Sequence, residues 1–129
     1  MSSPVNTLDD ERISIRRGSA VDIVRWVDVV SVHSNRNITR LLTRSHEICV
    51  YVPFSQVVDA LRPAGVLRIH RGSAVNIACV RRVVGRGHHR VVVVLEDGRE
   101  LPVGRGYQRM IRRRFGARLV VAVRPALLS

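Results

Sequence analysis

The sequence of 129 residues contains no lysine, few aromatic residues and only two cysteines. Aromatic residues make up 4% of the chain, which argues against single-stranded nucleic acid as a ligand, because such binding relies on aromatic side chains that stack on the bases. Cys49 and Cys79 both lie in apolar stretches, which is typical of buried free thiols. The longest apolar runs, residues 91–95 and 119–123, are too short to span a bilayer, and the polar N-terminus does not resemble a signal peptide. We therefore expect a reduced, cytoplasmic protein without a membrane span.

The charge of the chain is strongly one-sided. All 22 basic residues are arginines and only 10 residues are acidic, which gives a net charge of +12 at pH 7. GC-rich coding explains arginine in place of lysine, but it explains the excess of positive charge less well. Because arginine binds phosphate or guanine through two parallel hydrogen bonds, a polyanion is the natural partner of such a domain. The apolar fraction of 46% is large enough for a folded core.

Alternation of apolar and polar residues predicts a mainly β domain with about ten short antiparallel strands and two short helices. Residues 12–16 alternate strictly, and Asp97-Gly98 between two apolar runs is typical of a hairpin turn. Apolar residues at helical spacing predict helices over residues 54–61 and 107–115. The apolar run 75–84, with Arg81-Arg82 in its middle, predicts a strand, a kink and a second strand.

The chain divides into three expected parts. Residues 1–11 lack periodicity and predict a flexible N-terminal tail, residues 12–118 form the domain, and residues 119–129 form a C-terminal strand over 120–123 followed by a tail. One seven-residue segment recurs almost unchanged: Arg17-Gly-Ser-Ala-Val-Asp-Ile returns as Arg71-Gly-Ser-Ala-Val-Asn-Ile. A single echo does not make a repeat protein, so we expect the same turn leading into a strand to be used twice.

Residues that could carry catalysis are poorly placed. Glu96-Asp97 lies in the predicted hairpin turn, where solvated carboxylates are the ordinary case. His70 and Ser73 are close in sequence, but no acidic residue stands nearby to orient the histidine. His88-His89 lacks further ligands at metal-binding spacing. We therefore expect no enzyme activity, no cofactor and no metal site.

Three polar, arginine-bearing loops favour nucleic-acid binding instead. Asparagine and arginine read adenine and guanine edges in the major groove, and a glycine beside an arginine allows close approach to phosphate. Because aromatic residues are scarce, a duplex is favoured over single strands as the ligand. The candidate DNA-binding residues are Asn35, Arg36, Asn37, Thr39 and Arg40 in the first loop, Arg68, His70 and Arg71 in the second, Arg105 in the third, and Arg90.

Residues 66–77, Val-Leu-Arg-Ile-His-Arg-Gly-Ser-Ala-Val-Asn-Ile, resemble the core motif of the LytTR-type DNA-binding domain. Other parts of the family pattern follow in order: the first strands and loop from Val27 to Thr43, the short helix at residues 54–61, and the closing hairpin and helix after Asp97-Gly98. The resemblance covers residues 12–118. The sequence differs from the pattern at Gly72, where the family has serine, and at Gly104-Arg105-Gly106, where it has Ser-Arg-Arg; Ile38 replaces an aromatic residue.

The resemblance implies an elongated domain of three small antiparallel sheets whose loops enter successive major grooves on one face of bent duplex DNA. Family members are mostly bacterial transcription regulators. Carried over by position, the base-reading loop is residues 35–40, with Asn37, Thr39 and Arg40 nearest the tip. Arg71 is a second base reader, Arg68 is a phosphate or framework contact, and a third contact lies at residues 104–106.

The same resemblance sets the expected partners. Family members usually carry a receiver domain in front, and eleven residues before Arg12 cannot hold one, so we expect any signal to arrive through a separate signalling partner, a ligand or the expression level. Binding as a homodimer to paired half-sites is a family expectation. Three alternatives use the same basic face: an RNA-binding module, a protein-interaction domain with an acidic partner, and a peripheral membrane protein.

Overall fold

The computed structural model describes the backbone of residues 5–128 and the side chains of residues 5–116. The chain forms two compact units, one made of Met1–Arg68 with Gly72–Cys79, the other of Ile69–Arg71 with Val80–Ser129. Within the described residues, eleven strands form three antiparallel sheets and two α-helices accompany them. The predicted mainly β class and its three sheets are therefore confirmed.

The first sheet belongs to the first unit and has the order β1-β2-β3. Its strands are β1 (Val5–Thr7), β2 (Arg12–Arg17) and β3 (Ala20–Arg25). The strict alternation in β2 buries Ile13 and Ile15 completely. The single buried residue of β1, Val5, pairs with Ile15.

The prediction of a flexible tail over residues 1–11 is wrong from Val5 onward, while residues 1–4 lie outside the described part. A strand of three residues shows too little alternation to be recognised, but pairing with β2 buries Val5 to 1% exposure. The following turn is held by Asp9, whose carboxylate accepts hydrogen bonds from the Arg12 guanidinium and from the backbone N–H groups of Glu11 and Arg12. The Arg12 hydrogen bond, foremost among these, lowers the pKa of Asp9.

The second sheet has five strands in the order β6-β5-β4-β8-β7. They are β4 (Val29–Asn35), β5 (Ile38–Thr43), β6 (Glu47–Val50), β7 (Val66–His70) and β8 (Ser73–Asn76). Helix α1 (Phe54–Leu61) follows Pro53 as predicted and buries the four apolar residues of its helical stripe, Phe54, Val57, Val58 and Leu61. Short 3₁₀ turns occupy Trp26–Asp28, Arg62–Ala64 and Ile77–Cys79. The kink expected within residues 75–84 is the Ile77–Cys79 turn, and the second strand begins directly after it at Val80.

The second unit holds the third sheet, of order β11-β10-β9, and the last helix. Its elements are β9 (Val80–Gly85), β10 (Val91–Leu95), β11 (Glu100–Val103) and α2 (Arg105–Leu128). The predicted turn joins β10 to β11, with Gly98 at φ +90°, and the Arg99 N–H lowers the pKa of Asp97 by hydrogen bonding to its carboxylate. The strand expected over residues 120–123 is wrong, because α2 continues through it. An established helix adds one hydrogen bond with each residue, whereas an isolated strand needs a partner.

Two kinds of feature are absent from the described residues. Neither helix there combines the length with the apolar character of a membrane-spanning segment. Among the same residues, no group of three or more His, Cys, Asp or Glu side chains is arranged to hold a metal ion. Cys49 is exposed and Cys79 is buried, and both are free thiols.

Candidate nucleic-acid interface

The tip of the β4–β5 hairpin presents three polar side chains. Asn35 pairs with Ile38, so the loop is a two-residue turn of Arg36 and Asn37, shorter than the loop of residues 35–40 that the sequence predicts. Asn35, Arg36 and Asn37 are all exposed, and Arg36 adopts a left-handed φ of +57°. A non-glycine residue in this conformation costs about 1–3 kcal/mol and is retained where the surrounding strands over-determine it. The hairpin therefore holds one arginine and two amides at a tight, solvent-facing tip.

Thr39 is not available for the base contact that was expected of it. Thr39 is completely buried, and its hydroxyl donates a hydrogen bond to the Val52 carbonyl at 2.5 Å. Side chains alternate between the two faces of a strand, and Thr39 takes the core face of β5. The prediction treated residues 35–40 as one loop and did not apply this alternation.

Arg40 lies on the opposite face of β5 and is part of an ion pair. Its Nε lies 2.7 Å from Oε1 of Glu47 on the neighbouring strand β6, and its side chain is 39% exposed. The carboxylate offsets the charge of Arg40, so a DNA contact by this residue requires the pair to open. Arg36, by contrast, has no ion pair with any residue in the described part of the chain.

Strand β7 and its turn carry the second predicted group. The Arg68 guanidinium lies 4.9 Å from the centre of the Phe54 ring, a cation–π contact that makes Arg68 part of the framework between β7 and α1. Arg71 is exposed in the two-residue turn Arg71-Gly72 that ends β7. Gly72 is tied to the first hairpin, because the Ser34 N–H donates to its carbonyl at 2.9 Å.

In the second unit, Arg105 and His70 stand near a close backbone approach. The Gly104 N–H donates to the Ile69 carbonyl at 2.8 Å. A Cβ atom at Gly104 would meet Cδ2 of Tyr107 at 3.2 Å and Cδ2 of His70 at 3.5 Å, so a glycine suits this position. Arg105 follows at the start of α2, exposed and without an ion pair among the described residues.

The exposed face of α2 continues the positive charge. Arg105, Arg109, Arg112 and Arg113 follow one another at helical spacing, and all four are exposed. On the other side of the helix, Ile111 is completely buried. The sequence spacing predicted this division between a wet arginine face and an apolar face.

Arg90 belongs to a feature that the sequence did not reveal. Four of the five residues between β9 and β10 line a cavity of about 400 Å³ together with β10, β11 and the first turn of α2. Arg86, His89 and Gln108 are members of this cavity that the sequence interpretation left out. Two sequence signals fall here: Gly85-Arg86-Gly87, which is too short to cradle a phosphate by its backbone alone, and His88-His89, which lacks further ligands at metal-binding spacing.

Comparison with known proteins gives the family. A family model described as the LytTr DNA-binding domain matches residues 21–116. The transcriptional regulatory protein LytR of Staphylococcus aureus strain MW2 is 21% identical over 107 residues, which are 83% of this chain and 44% of that protein. The LytR of strain N315 is 20% identical over the same shares. The chain thus spans less than half the length of these curated relatives.

The fold agrees with this match. A solved LytTr DNA-binding domain from Bacillus cereus is similar with a TM-score of 0.70 at 15% identity, over 82% of this chain and 97% of that chain. At this level of identity the structural likeness establishes the fold, and the family model, which covers residues 21–116, establishes the family. The chain belongs to the LytTr DNA-binding domain family.

Proposed function

We propose that this chain binds double-stranded DNA at specific sequences through loops that enter the major groove, and that it acts as a bacterial transcription regulator. The family match and the regulators among its relatives support DNA as the partner. The net charge of +12 supports binding driven largely by phosphate contacts, whose affinity falls steeply with salt.

The β4–β5 hairpin tip is the observation that carries the proposal. It joins an arginine without an ion pair in the described part of the chain to two exposed asparagines on a tight two-residue turn. Arginine pairs with guanine and asparagine with adenine through two hydrogen bonds each, and each such pair contributes about 1–3 kcal/mol of discrimination. Asn35, Arg36 and Asn37 are therefore the proposed base readers in the first unit, in place of Thr39.

Other members of the predicted set take different roles. Arg71, at its exposed turn, is proposed as a second base reader, with His70 beside it. Arg105 and the arginine face of α2 are proposed to contact phosphates. Arg40 and Arg68 are proposed to position the hairpin and β7, because Glu47 and Phe54 hold them.

Selection of bound sequences from a random pool of duplex DNA tests this function. We expect one sequence to be enriched. The logarithm of the affinity for that sequence should fall linearly with the logarithm of the salt concentration. A competition experiment with duplex RNA and single strands accompanies the selection. Stronger competition by RNA would make the chain an RNA-binding module, and the absence of any salt-dependent binding would favour a protein-interaction domain.

A variant pair locates the reading surface. Asn37→Ala should reduce affinity for the selected site about tenfold while leaving random DNA almost unchanged, since an amide contributes no charge to phosphate contacts. Thr43→Ala is the control, because Thr43 lies at the far end of β5, where its hydroxyl donates to the His46 carbonyl. An equal loss of affinity for the selected site in Asn37→Ala and Thr43→Ala would refute a base-reading role for the hairpin tip.

A further inference from the structure

The cavity in the second unit is built around an unusual turn. Residues 86–90 connect β9 to β10, and the loop is closed by two hydrogen bonds, from the Arg86 N–H to the Arg90 carbonyl and from the Arg90 N–H to the Gly87 carbonyl, both 2.9 Å. Gly87, His88 and His89 all adopt left-handed φ values, of +80°, +50° and +60°. Left-handed residues that are not glycine are uncommon, and two in succession are a local strain of the kind found at functional sites.

Helix α2 is anchored to this turn. The Gln108 side-chain amide donates a hydrogen bond to the His89 carbonyl at 2.8 Å. The turn, the first residues of α2 and the neighbouring strands thereby border a solvent-open pocket of about 400 Å³. This volume lies within the range of small-molecule sites, which is about 300–1,000 Å³.

The charges around the cavity are unbalanced. Glu100 contributes a carboxylate to the cavity lining, and this carboxylate forms an ion pair with Arg86. Arg90 and Arg105 line the same cavity and have no carboxylate partner anywhere in the described residues. Arg90 and Arg105 thus add two positive charges that Glu100 does not compensate, and an anion with several oxygen atoms would complement them.

The remaining walls are mixed in character. Val92 and Pro102 form an apolar side, while His88 and His89 add ring nitrogens that can donate hydrogen bonds. A bare phosphate would fill only a small part of such a volume. An anion attached to a sugar fits better, because the sugar would lie on the apolar side and the phosphate between the arginines.

We propose that this cavity, the β9–β10 pocket, binds a sugar phosphate, with Arg90 and Arg105 on the phosphate and Val92 and Pro102 against the sugar. Two sources share this chemistry: a nucleotide of the DNA backbone and a free nucleotide. The inference deepens the proposed function, and it rests on that function only where the nucleotide belongs to bound DNA.

The test uses the full chain, labelled with ¹⁵N, and two small probes. Adenosine monophosphate should shift the amide signals of residues 86–92 and 103–108, whereas adenosine, which lacks the phosphate, should not. Arg90→Gln should weaken the binding of adenosine monophosphate about tenfold, the worth of one charge-assisted hydrogen bond. Arg81→Gln is the matched control: Arg81 is also exposed, lies on β9 and does not line the pocket.

Three results would overturn the inference: equal shifts with both probes, shifts spread over arginines outside the pocket, or equal weakening in the two variants. A DNA titration separates the two sources. If the pocket holds a backbone nucleotide, adenosine monophosphate competes with DNA. Arg90→Gln then reduces the slope of log affinity against log salt concentration by about 1, the value for one phosphate contact. If it holds a free nucleotide, the small probe binds and the salt slope is unchanged; both results support the pocket.

The same measurements distinguish this inference from the proposed function. Adenosine monophosphate binding without any sequence enriched from the random pool would refute sequence-specific DNA binding and leave the pocket standing. Specific DNA binding with no response to the small probe, and with the same salt slope in Arg90→Gln and Arg81→Gln, would refute the pocket alone.

Discussion

Two almost identical segments, residues 17–23 and 71–77, occupy very different places in the fold. They differ only in Asp22 against Asn76. Both form a turn that leads into a strand, as predicted, but the turns are displaced by one residue. In the first segment β2 extends through Arg17 and the turn is Gly18-Ser19, whereas in the second β7 ends at His70 and Arg71 itself enters the turn.

Burial changes together with the turn. Val21 and Ile23 on β3 are 56% and 50% exposed, while the matching Val75 is completely buried. The reason is sheet position: β3 is an edge strand, and β8 lies between β4 and β7. The same residues therefore meet solvent in one copy and protein on both faces in the other, so sheet position outweighs local sequence here.

The single difference between the copies matches these surroundings. Asp22 is partly exposed and accepts a hydrogen bond from the Arg17 guanidinium at 2.7 Å. Asn76 is buried, and its amide nitrogen donates to the Trp26 and Val29 carbonyls at 3.0 and 2.9 Å. Its side-chain oxygen accepts the Ala78 N–H. Only a neutral amide can serve donors and acceptors at once in this place.

The largest effect is expected from making the second copy like the first. Asn76→Asp replaces a buried donor by a carboxylate that faces two carbonyl oxygens. The loss of both hydrogen bonds and the burial of an unpaired charge should lower the free energy of unfolding by about 3–5 kcal/mol. Urea unfolding followed by circular dichroism measures this change.

A matched variant gives the control for that experiment. Asn76→Ala removes the donors without adding a charge, and it should cost less than Asn76→Asp. If Asn76→Asp and Asn76→Ala were equally stable, the buried unpaired charge at residue 76 would contribute nothing to the loss of stability.

The next effect compares equivalent valines in the two copies. Val75→Ala removes two buried methyl groups and should lower the free energy of unfolding by about 2 kcal/mol. Val21→Ala, at the exposed position of the first copy, should stay within about 0.5 kcal/mol of the parent. Similar losses in both variants, measured by the same urea unfolding, would show that the two strands are equally buried in solution.

Much of this fold follows from patterns that are physically local. The helix Phe54–Leu61 shows a full apolar stripe between proline residues, and the Asp97-Gly98 turn sits between apolar runs, so both were predictable. The strand Val5–Thr7 depends on pairing with β2, and the one-residue shift at Arg71 depends on the neighbours of β8. Such long-range pairing leaves no local trace.

The candidate site divides in the same way. The exposed tip at Arg36 was predictable, because polar turn formers separate two apolar strands. The burial of Thr39 required the alternation of β5 to be counted from the turn, and the ion pair between Arg40 and Glu47 required the register of β5 with β6. The pocket beside Arg90 is formed within residues 86–108, and its lining depends on the pairing of β10 with β11 and on the packing of α2, so composition and motifs could not reveal it.

A smaller effect compares the first arginines of the two copies in DNA binding. Arg71→Ala should weaken the selected site about tenfold, and random DNA by less, if Arg71 reads a base. Arg17→Ala removes the same charge from a residue that Asp22 already neutralises, so its affinity should remain within about twofold of the parent. Equal loss on selected and random DNA in Arg71→Ala would make this residue a phosphate contact only.

The smallest effect tests which force sets the turn. Asp22→Asn makes the two seven-residue segments identical and removes only a partly exposed ion pair, so the free energy of unfolding should fall by no more than about 1 kcal/mol. The turn should remain at Gly18-Ser19, because Ile13 and Ile15 of β2 stay fixed in the core. Contacts between amide protons across β2 and β3, measured by NMR, report this register directly. A turn that moved to Arg17-Gly18 would mean that the one side chain, and not the place of the strand in its sheet, decides the register.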